Sequence, residues 1–260
     1  MEEQNHGNEP VIVCIDVETS PLVAFSWGPM WKTNLIEIIK HTRIIGFSLR
    51  YLKGEHITKA LPDYKGYKPN ELDDKRMMKE IWHFLNGADI VLAHNGRAFD
   101  TKLINARLLY HGFPPPSPYK LIDTRLEFKK YIRLPSYSLN NICDYFGIGR
   151  KLEHEGFPLW KKCMVGDEKA WRKMKRYNTK DVILTEKLYL LLRPFMKTHP
   201  SVSVFTGTGI ECPKCNSKNL QSRGMTRNKT TAYRRIFCKD CGGWSRTTKN
   251  LQEIKPLVSI

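Results

Sequence analysis

Apolar residues follow two rhythms along this chain. Val11-Ile12-Val13-Cys14-Ile15 is an unbroken β-prone run ending at Asp16, the pattern of a buried strand. Residues 44–52 (IIGFSLRYL) and 56–61 (HITKAL) predict two more strands, and residues 89–93 (DIVLA) predict a buried fourth. The rhythm then changes. Over 69–85, Met77, Met78, Ile81, Trp82 and Leu85 recur at helical spacing, which predicts a helix with one apolar stripe. Residues 99–111 predict another, with Leu103, Ile104, Leu108 and Leu109 on one side. The proline run of 112–118 (GFPPPSP) is a loop between structured flanks. Residues 119–122 predict a strand running into Asp123.

Helical spacing dominates after that. Residues 138–146 predict a helix with Ser138 as N-cap, followed by helices over 167–176 and 178–196. Strands first, then strand–helix alternation, then helices suit an α/β fold: a mixed sheet flanked by helices. Residues 199–209 (HPSVSVFTGTG) have the composition of a linker. The expected division is therefore a flexible N-terminus over 1–8, a large domain over 9–198, a linker over 199–209, a small module over 210–250 and a tail over 251–260. The chain shows no internal repeat.

Charge adds a direction to this outline. Residues 1–124 carry 15 Lys+Arg and 15 Asp+Glu, residues 125–204 carry 17 and 8, and residues 205–260 carry 11 and 3. The net charge of +17 is thus confined to the second half. Clustered basic charge is the footprint of a polyanion partner, nucleic acid above all. No apolar run of about 18 residues is present, so no membrane partner is expected. The acidic, polar start lacks the layout of a signal peptide, and an intracellular location follows as an expectation.

The seven cysteines divide into two groups. Cys14, Cys143 and Cys163 are scattered and fit core positions. Cys212-Pro213-Lys214-Cys215 and Cys238-Lys239-Asp240-Cys241 are two tight pairs with 22 residues between them. Thiolates at C-x₂-C spacing close on one tetrahedral Zn²⁺. Four thiolates leave no open position, so that ion is structural. Arg234 and Arg235 lie between the pairs, with Arg223, Arg227, Lys229 and Tyr233 nearby and Trp244 and Arg246 after them. Arginine contacts phosphate and aromatic rings stack on bases, although Trp244 also suits the core of the module. A protein partner for such a module is the other reading.

Three groups of residues carry candidate chemistry. Asp16 and Glu18 sit two apart on the first strand and project to one face. Adjacent carboxylates repel, and a divalent cation between them relieves the repulsion. Asn95, Phe99 and Asp100 follow the strand of 89–93 and open a helix. Tyr177 and Asp181 stand at i and i+4, so both point the same way from a helix. Taken singly, these are a solvated strand end, a helix-capping carboxylate and an ordinary amphipathic helix. The basic run Lys169, Arg172, Lys173, Lys175, Arg176 leads into Tyr177 and reads either as a strand-guiding surface or as a solvated helix face.

In this order the three groups resemble the DEDD exonuclease superfamily in its tyrosine-containing branch, which includes the proofreading domains of family B DNA polymerases. The resemblance spans about residues 10–195. It rests on Asp16-x-Glu18, on Asn95 with Phe99-Asp100, and on Tyr177-x-x-x-Asp181. Ser138-Leu139-Asn140 followed by Tyr145-Phe146-Gly147 is a further match, Asp123 matches a lesser acidic position, and His94 departs from the usual tyrosine. The resemblance implies an RNase H-like fold and a 3′→5′ exonuclease using two Mg²⁺ or Mn²⁺ ions; the two cysteine pairs add the expectation of a small C-terminal zinc ribbon with four cysteine ligands. By the same resemblance Asp16 bridges both ions, Glu18 and Asp181 hold one, Asp100 supports the other, and Tyr177 orients the attacking water. DNA is the expected substrate, with RNA next, since no residue visibly tests for a 2′-hydroxyl. A structure-selective endonuclease and a non-catalytic nucleic-acid-binding protein are the remaining readings.

Overall fold

In a computed structural model, residues 9–29, 34–69, 71, 73–206, 209–228, 230–249 and 251 are described. The expected N-terminal segment 1–8, Lys229 and all but the first residue of the tail lie outside them. The chain forms two compact units, Val11–Leu188 and Tyr189–Ile260 with Met1–Pro10.

The first unit runs β1 (Ile12–Thr19), β2 (Val23–Phe25), β3 (Glu37–Lys40), β4 (Ile44–Tyr51), β5 (His56–Ala60), α1 (Lys75–Asn86), β6 (Ile90–Ala93), α2 (Asp100–Tyr110), β7 (Lys120–Asp123), α3 (Thr124–Tyr131), α4 (Leu139–Tyr145), α5 (Phe157–Met164) and α6 (Glu168–Leu192). Its central sheet has the order β5-β4-β1-β6-β7. β4 pairs antiparallel with β1 and β5, whereas β6 is parallel to both β1 and β7. This is the mixed α/β sheet expected. β1 lies in its middle and is buried from Ile12 to Ile15, which is why it reads as a continuous apolar run and not as an alternating one. Cys14, Cys143 and Cys163 are buried, as expected.

Several local expectations are corrected. The helix expected over 69–85 starts at Lys75. Asp74, just before it, is fully buried and accepts from Ile44 N (3.1 Å), from Arg107 Nε (2.8 Å) and Nη2 (2.6 Å), and from His111 Nε2 (2.7 Å). Those four donors hold its backbone short of helical ψ, at 6°. Leu109 is 81% exposed; the buried side chain in its place is Arg107, held by Asp74. The helices expected over 167–176 and 178–196 are one helix, α6. No Gly or Pro interrupts it, and its poor helix formers Asn178 and Thr179 find partners elsewhere: Asp16 on β1 and Thr58 on β5. Helices α3 and α5 and the hairpin β2–β3 add to the expected elements.

The second unit holds α7 (Ser203–Thr206) and a three-stranded antiparallel sheet of β8 (Leu220–Arg227), β9 (Ala232–Cys238) and β10 (Trp244–Arg246), in the order β10-β9-β8. Part of the segment with linker composition is folded here. Val202 is buried and donates to Pro213 O (2.8 Å), and Tyr189 Oη meets His199 Nε2 (2.8 Å).

Candidate active site

The three sequence groups meet at the C-terminal end of β1. Asp100, the first residue of α2, does not cap its own helix; its Oδ1 accepts from Val17 N on β1 (3.1 Å). Asn178, beside Tyr177 on α6, donates from Nδ2 to Asp16 Oδ2. Cys14 Sγ reaches Val182 O (3.6 Å), a second tie between β1 and α6. One strand and two helices thus bring Asp16, Glu18, Asp100, Tyr177 and Asp181 into one neighbourhood from three distant stretches of sequence.

Burial and mutual repulsion dominate the electrostatics. Burial, with Asp100, Glu18 and Asp181 nearby, pushes the Asp16 carboxyl well above its ordinary range. Burial with Asp181 raises Glu18 to about 8, and burial raises Asp100 to about 6. Asp181 is also pushed up by burial, against the pull of Lys151. One of its oxygens, Oδ1, is buried with no hydrogen-bond partner, as is Asn178 Oδ1. An acceptor buried without a donor is costly, and ionised carboxylates crowded together cost more. A hard divalent cation relieves both, and carboxylate oxygens are the donors such ions take. No three of these carboxylates have oxygens all within 4.8 Å of one another, so their oxygens do not converge on a single ion position.

Lys151 is a member of the site that sequence reasoning misses. Its Nζ donates to Tyr177 Oη (2.7 Å) and pairs with Asp181 Oδ2 (2.6 Å). Burial pulls the Lys151 pKa down, but Asp181 and Tyr177 more than offset this, so the ammonium is held charged. Burial raises Tyr177 to about 12, which leaves the phenol protonated. His154 and Trp160 pack edge-on against its ring, at 4.7 and 6.3 Å between centroids. No local signal marks Lys151, which lies in an irregular segment 26 residues before Tyr177.

Beside the carboxylates opens a cleft of about 350 Å³ lined by Asp16, Asn95, Arg125, Ser138, Lys151 and Asp181, among others. Asn95 has φ +70, and its Oδ1 accepts from Arg125 Nη1 (2.7 Å). Gly96 follows because no side chain fits there: a Cβ would lie 2.4 Å from that of Ala93. Asp123 accepts from the backbone amides of Asn95 and Arg97 (3.0 Å each) while capping α3. It therefore holds the loop that carries Asn95. His94 is half-buried and neutral, its pKa lowered to about 4 by desolvation, with its ring nitrogens on Thr124 Oγ1 (2.9 Å) and Tyr137 O (3.1 Å). Ser138 caps α4 from its side chain, as expected. Phe99 is 46% exposed and does not line the cleft.

The basic run does not face the site. Lys173 pairs with Glu155 (2.6 Å), and Arg172 and Arg176 lie on another side of α6 from Tyr177. Lys169, Arg172, Lys173 and Arg176 stand at i, i+3, i+4 and i+7 and share one side of α6, and the next residue, Tyr177, is turned about 100° from Arg176. On β9, Arg234 and Arg235 are exposed and, as strand neighbours, point to opposite faces.

In the second unit the four cysteine sulfurs lie within 4.8 Å of one another. Cys212 and Cys241 are 3.7 Å apart, Cys215 and Cys238 3.6 Å. Disulfides would bring sulfurs to about 2 Å, whereas a tetrahedral ion with bonds of about 2.3 Å places them about 3.8 Å apart. The cysteines fit the ion. Burial raises the Cys238 thiol, but the amides of Cys241 and Asp240 bring it down to about 7. Trp244 is 49% exposed, tilted against Phe237 at 5.1 Å, with Arg235 over its ring at 5.7 Å. Asp73, Asp74 and His111 also stand at ligand spacing. There the four donors on Asp74 already occupy its lone pairs, so that cluster is a structural ion pair.

The raised carboxylates predict a pH effect. A group whose pKa is raised by folding takes up a proton on folding. Its stability is present below the unfolded value, near 4, and is lost as pH rises through the folded value. Chelator-treated protein should therefore melt at higher temperature at about pH 7.5 than at about pH 9, limits that lie above the ordinary histidine value of about 6.5. Half-buried His94 and His199, both held near 4, oppose the effect only below that window. Glu18→Gln should flatten the slope, as should Mn²⁺. Thermal melts across pH test this; a wild-type slope of the opposite sign would contradict it.

A family model of the RNase H superfamily matches residues 39–193. No curated protein matches the chain. Among solved structures, the family B DNA polymerase from the hyperthermophilic archaeon Pyrobaculum calidifontis is similar, with a TM-score of 0.54 at 14% identity. The match covers 74% of this chain and 26% of the polymerase. At that identity the likeness carries the fold, and this chain spans about a quarter of the polymerase's length.

Proposed function

The chain belongs to the RNase H superfamily, and on that premise we propose that it is a metal-dependent nuclease removing nucleotides from the 3′ end of DNA. The observation that carries this is the gathering of four mutually repelling carboxylates beside a polar cleft, with Asp181 Oδ1 left unpartnered. Asp16, Glu18, Asp100 and Asp181 would hold two Mg²⁺ or Mn²⁺ ions. When bound, such ions supply water activation and neutralise charge on the attacking, leaving and phosphoryl oxygens.

The chain's own residues do the rest. Lys151 pulls Asp181 toward its charged form, against the burial that raises its pKa, and fixes the Tyr177 hydroxyl by occupying one of its lone pairs. The phenol proton is directed at the Asp181 carboxylate, and the hydroxyl would turn to orient a water at the scissile phosphate when Asp181 holds an ion. A phenol held near 12 is a poor base, so Tyr177 positions and does not deprotonate. Asn95, Arg125 and Ser138 line the cleft and are placed to hold the terminal nucleotide. In the second unit Cys212, Cys215, Cys238 and Cys241 would hold a structural Zn²⁺, and the arginine-rich ribbon would bind substrate or a protein partner.

End-labelled DNA and RNA, incubated with Mg²⁺, Mn²⁺ or chelator, test the reading. Shortening of DNA from the 3′ end supports it. Preference for RNA, discrete internal cuts, or retention without cutting would reassign the protein to an exoribonuclease, an endonuclease or a binder. Within the site, Tyr177→Phe should slow single-turnover cleavage roughly 10–100-fold by misplacing water. Asp181→Ala should cost at least about 10³-fold by losing an ion ligand. Equal losses would give Tyr177 a different task.

A further inference from the structure

The helix that carries Tyr177 and Asp181 has a second functional side. One step further round, Arg176, Lys180 and Ile183 of α6 form a groove of about 600 Å³ with Thr58 of β5 and with Leu152. The segment through 150–152 separates this groove from the catalytic cleft. Lys151 turns to Tyr177 and Asp181, and its neighbour Leu152 turns into the groove. The two cavities share α6 and this segment as common walls.

We infer that this groove is a second nucleic-acid site, taking a nucleotide of the same strand whose end occupies the cleft. The inference rests on the nuclease reading for the identity of that strand. Its physical basis is the mismatch between charge and surroundings. Arg172 has Glu168 (3.4 Å) and Lys175 has Asp63 (2.9 Å). Arg176 and Lys180 have no ion-pair partner among the described residues. They stand at i and i+4, where like charges on a helix repel. An anion between them would relieve that repulsion, which is small for such a pair, and would give both cations a partner.

The walls say what kind of anion. Leu152, Ile183 and the alkyl stems of the cations make the sides apolar, which does not suit a simple inorganic ion. The floor is polar: Thr179 Oγ1 meets Thr58 Oγ1 (2.6 Å), which meets Ser48 Oγ (2.6 Å). An apolar slot with a hydroxyl floor and two such cations at its rim matches a nucleoside phosphate, its sugar and base against the aliphatic walls and its phosphates on Arg176 and Lys180. The volume lies within the range of small-molecule sites. The distance is also suitable. A helix is about 10 Å wide, or roughly three nucleotides at 3.4 Å each, so a strand ending in the cleft can reach round to the groove.

The test is binding without turnover. Labelled oligothymidylates, one short enough to fill the cleft alone and one long, are titrated against the full chain in chelator over a salt series. For the variant Arg176→Glu with Lys180→Glu, affinity for the long strand should fall by about tenfold or more at low salt. The slope of log affinity against log salt should become shallower by about 1.4, two contacts at about 0.7 each. Arg176→Gln with Lys180→Gln, which keeps the stems and relieves the helix repulsion, should show the same slope change and guards against a folding defect in the first variant. An unchanged slope in the glutamine variant overturns the inference. Thymidine monophosphate is titrated in parallel. If wild type binds it, the glutamine variant does not, and strand binding is the same in both, the groove takes a free nucleotide and the inference fails. Because no cleavage is measured, absence of nuclease activity would defeat the functional proposal and leave this result to be read separately.

Discussion

Asp16→Asn is expected to lower single-turnover cleavage by at least about 10³-fold, the largest effect of any single change in the first unit. Asp16 is the one carboxylate whose ionised form is opposed by all three others, Asp100, Glu18 and Asp181. It therefore lies between the groups that would share the cations. The amide keeps the shape and can still accept from Asn178 Nδ2, so the tie between β1 and α6 survives. Removing a buried negative charge from this cluster also removes repulsion. The variant in chelator should thus melt at or above the wild-type temperature, and added Mn²⁺ should no longer raise that temperature as it does for wild type. Cleavage near the wild-type rate would remove Asp16 from the mechanism. A collapse of the melting temperature would show that its role is structural.

Cys212→Ser is expected to have the largest effect on stability. The second unit's sheet has few buried side chains besides its cysteines: among the described residues, Ala232 is the one buried apolar residue on β8, β9 and β10 apart from Cys238. Such a module depends on its ion, and structural zinc contributes about 10–16 kcal/mol of binding free energy that is also folding free energy. Three thiolates hold zinc far more weakly than four. Zinc content should drop from about one ion per chain to near none. Backbone amides of β8 and β9 should then exchange with solvent at rates near those of an unfolded chain, while β1 and β6 of the first unit stay protected. Zinc analysis with hydrogen exchange measures both. A variant that keeps its zinc, or keeps β9 protected without it, would mean that strand pairing holds the ribbon together without the ion.

Relations between near neighbours along the chain are legible from the residues alone. Strand alternation puts Asp16 and Glu18 on one side of β1, and the i, i+4 step turns Tyr177 and Asp181 the same way. The C-x₂-C spacing brings Cys212 to Cys215 and Cys238 to Cys241. These relations follow from backbone geometry alone. The approach of one cysteine pair to the other, at 3.7 Å between Cys212 and Cys241 and 3.6 Å between Cys215 and Cys238, is made by the fold. Boundaries were legible where a local signal marks them, as at Ser138, and not where the decisive partner is remote. Asp74 delays α1 because Arg107, His111 and Ile44 draw it in from 30 to 37 residues away. α6 continues through Asn178 and Thr179 because β1 and β5 satisfy them.

Packing between distant segments sets what fills the space between those elements. It sends Lys151 to Tyr177 and Asp181, turns Asp123 onto the loop of Asn95, and divides one basic run between an ion pair at Lys173 and a groove at Arg176. Each is a meeting of side chains from separate segments, set by how loops close and helices cross the sheet. No periodicity records it, because a residue's charge and size are written in the sequence but its partner across 26 or 30 positions is fixed by packing.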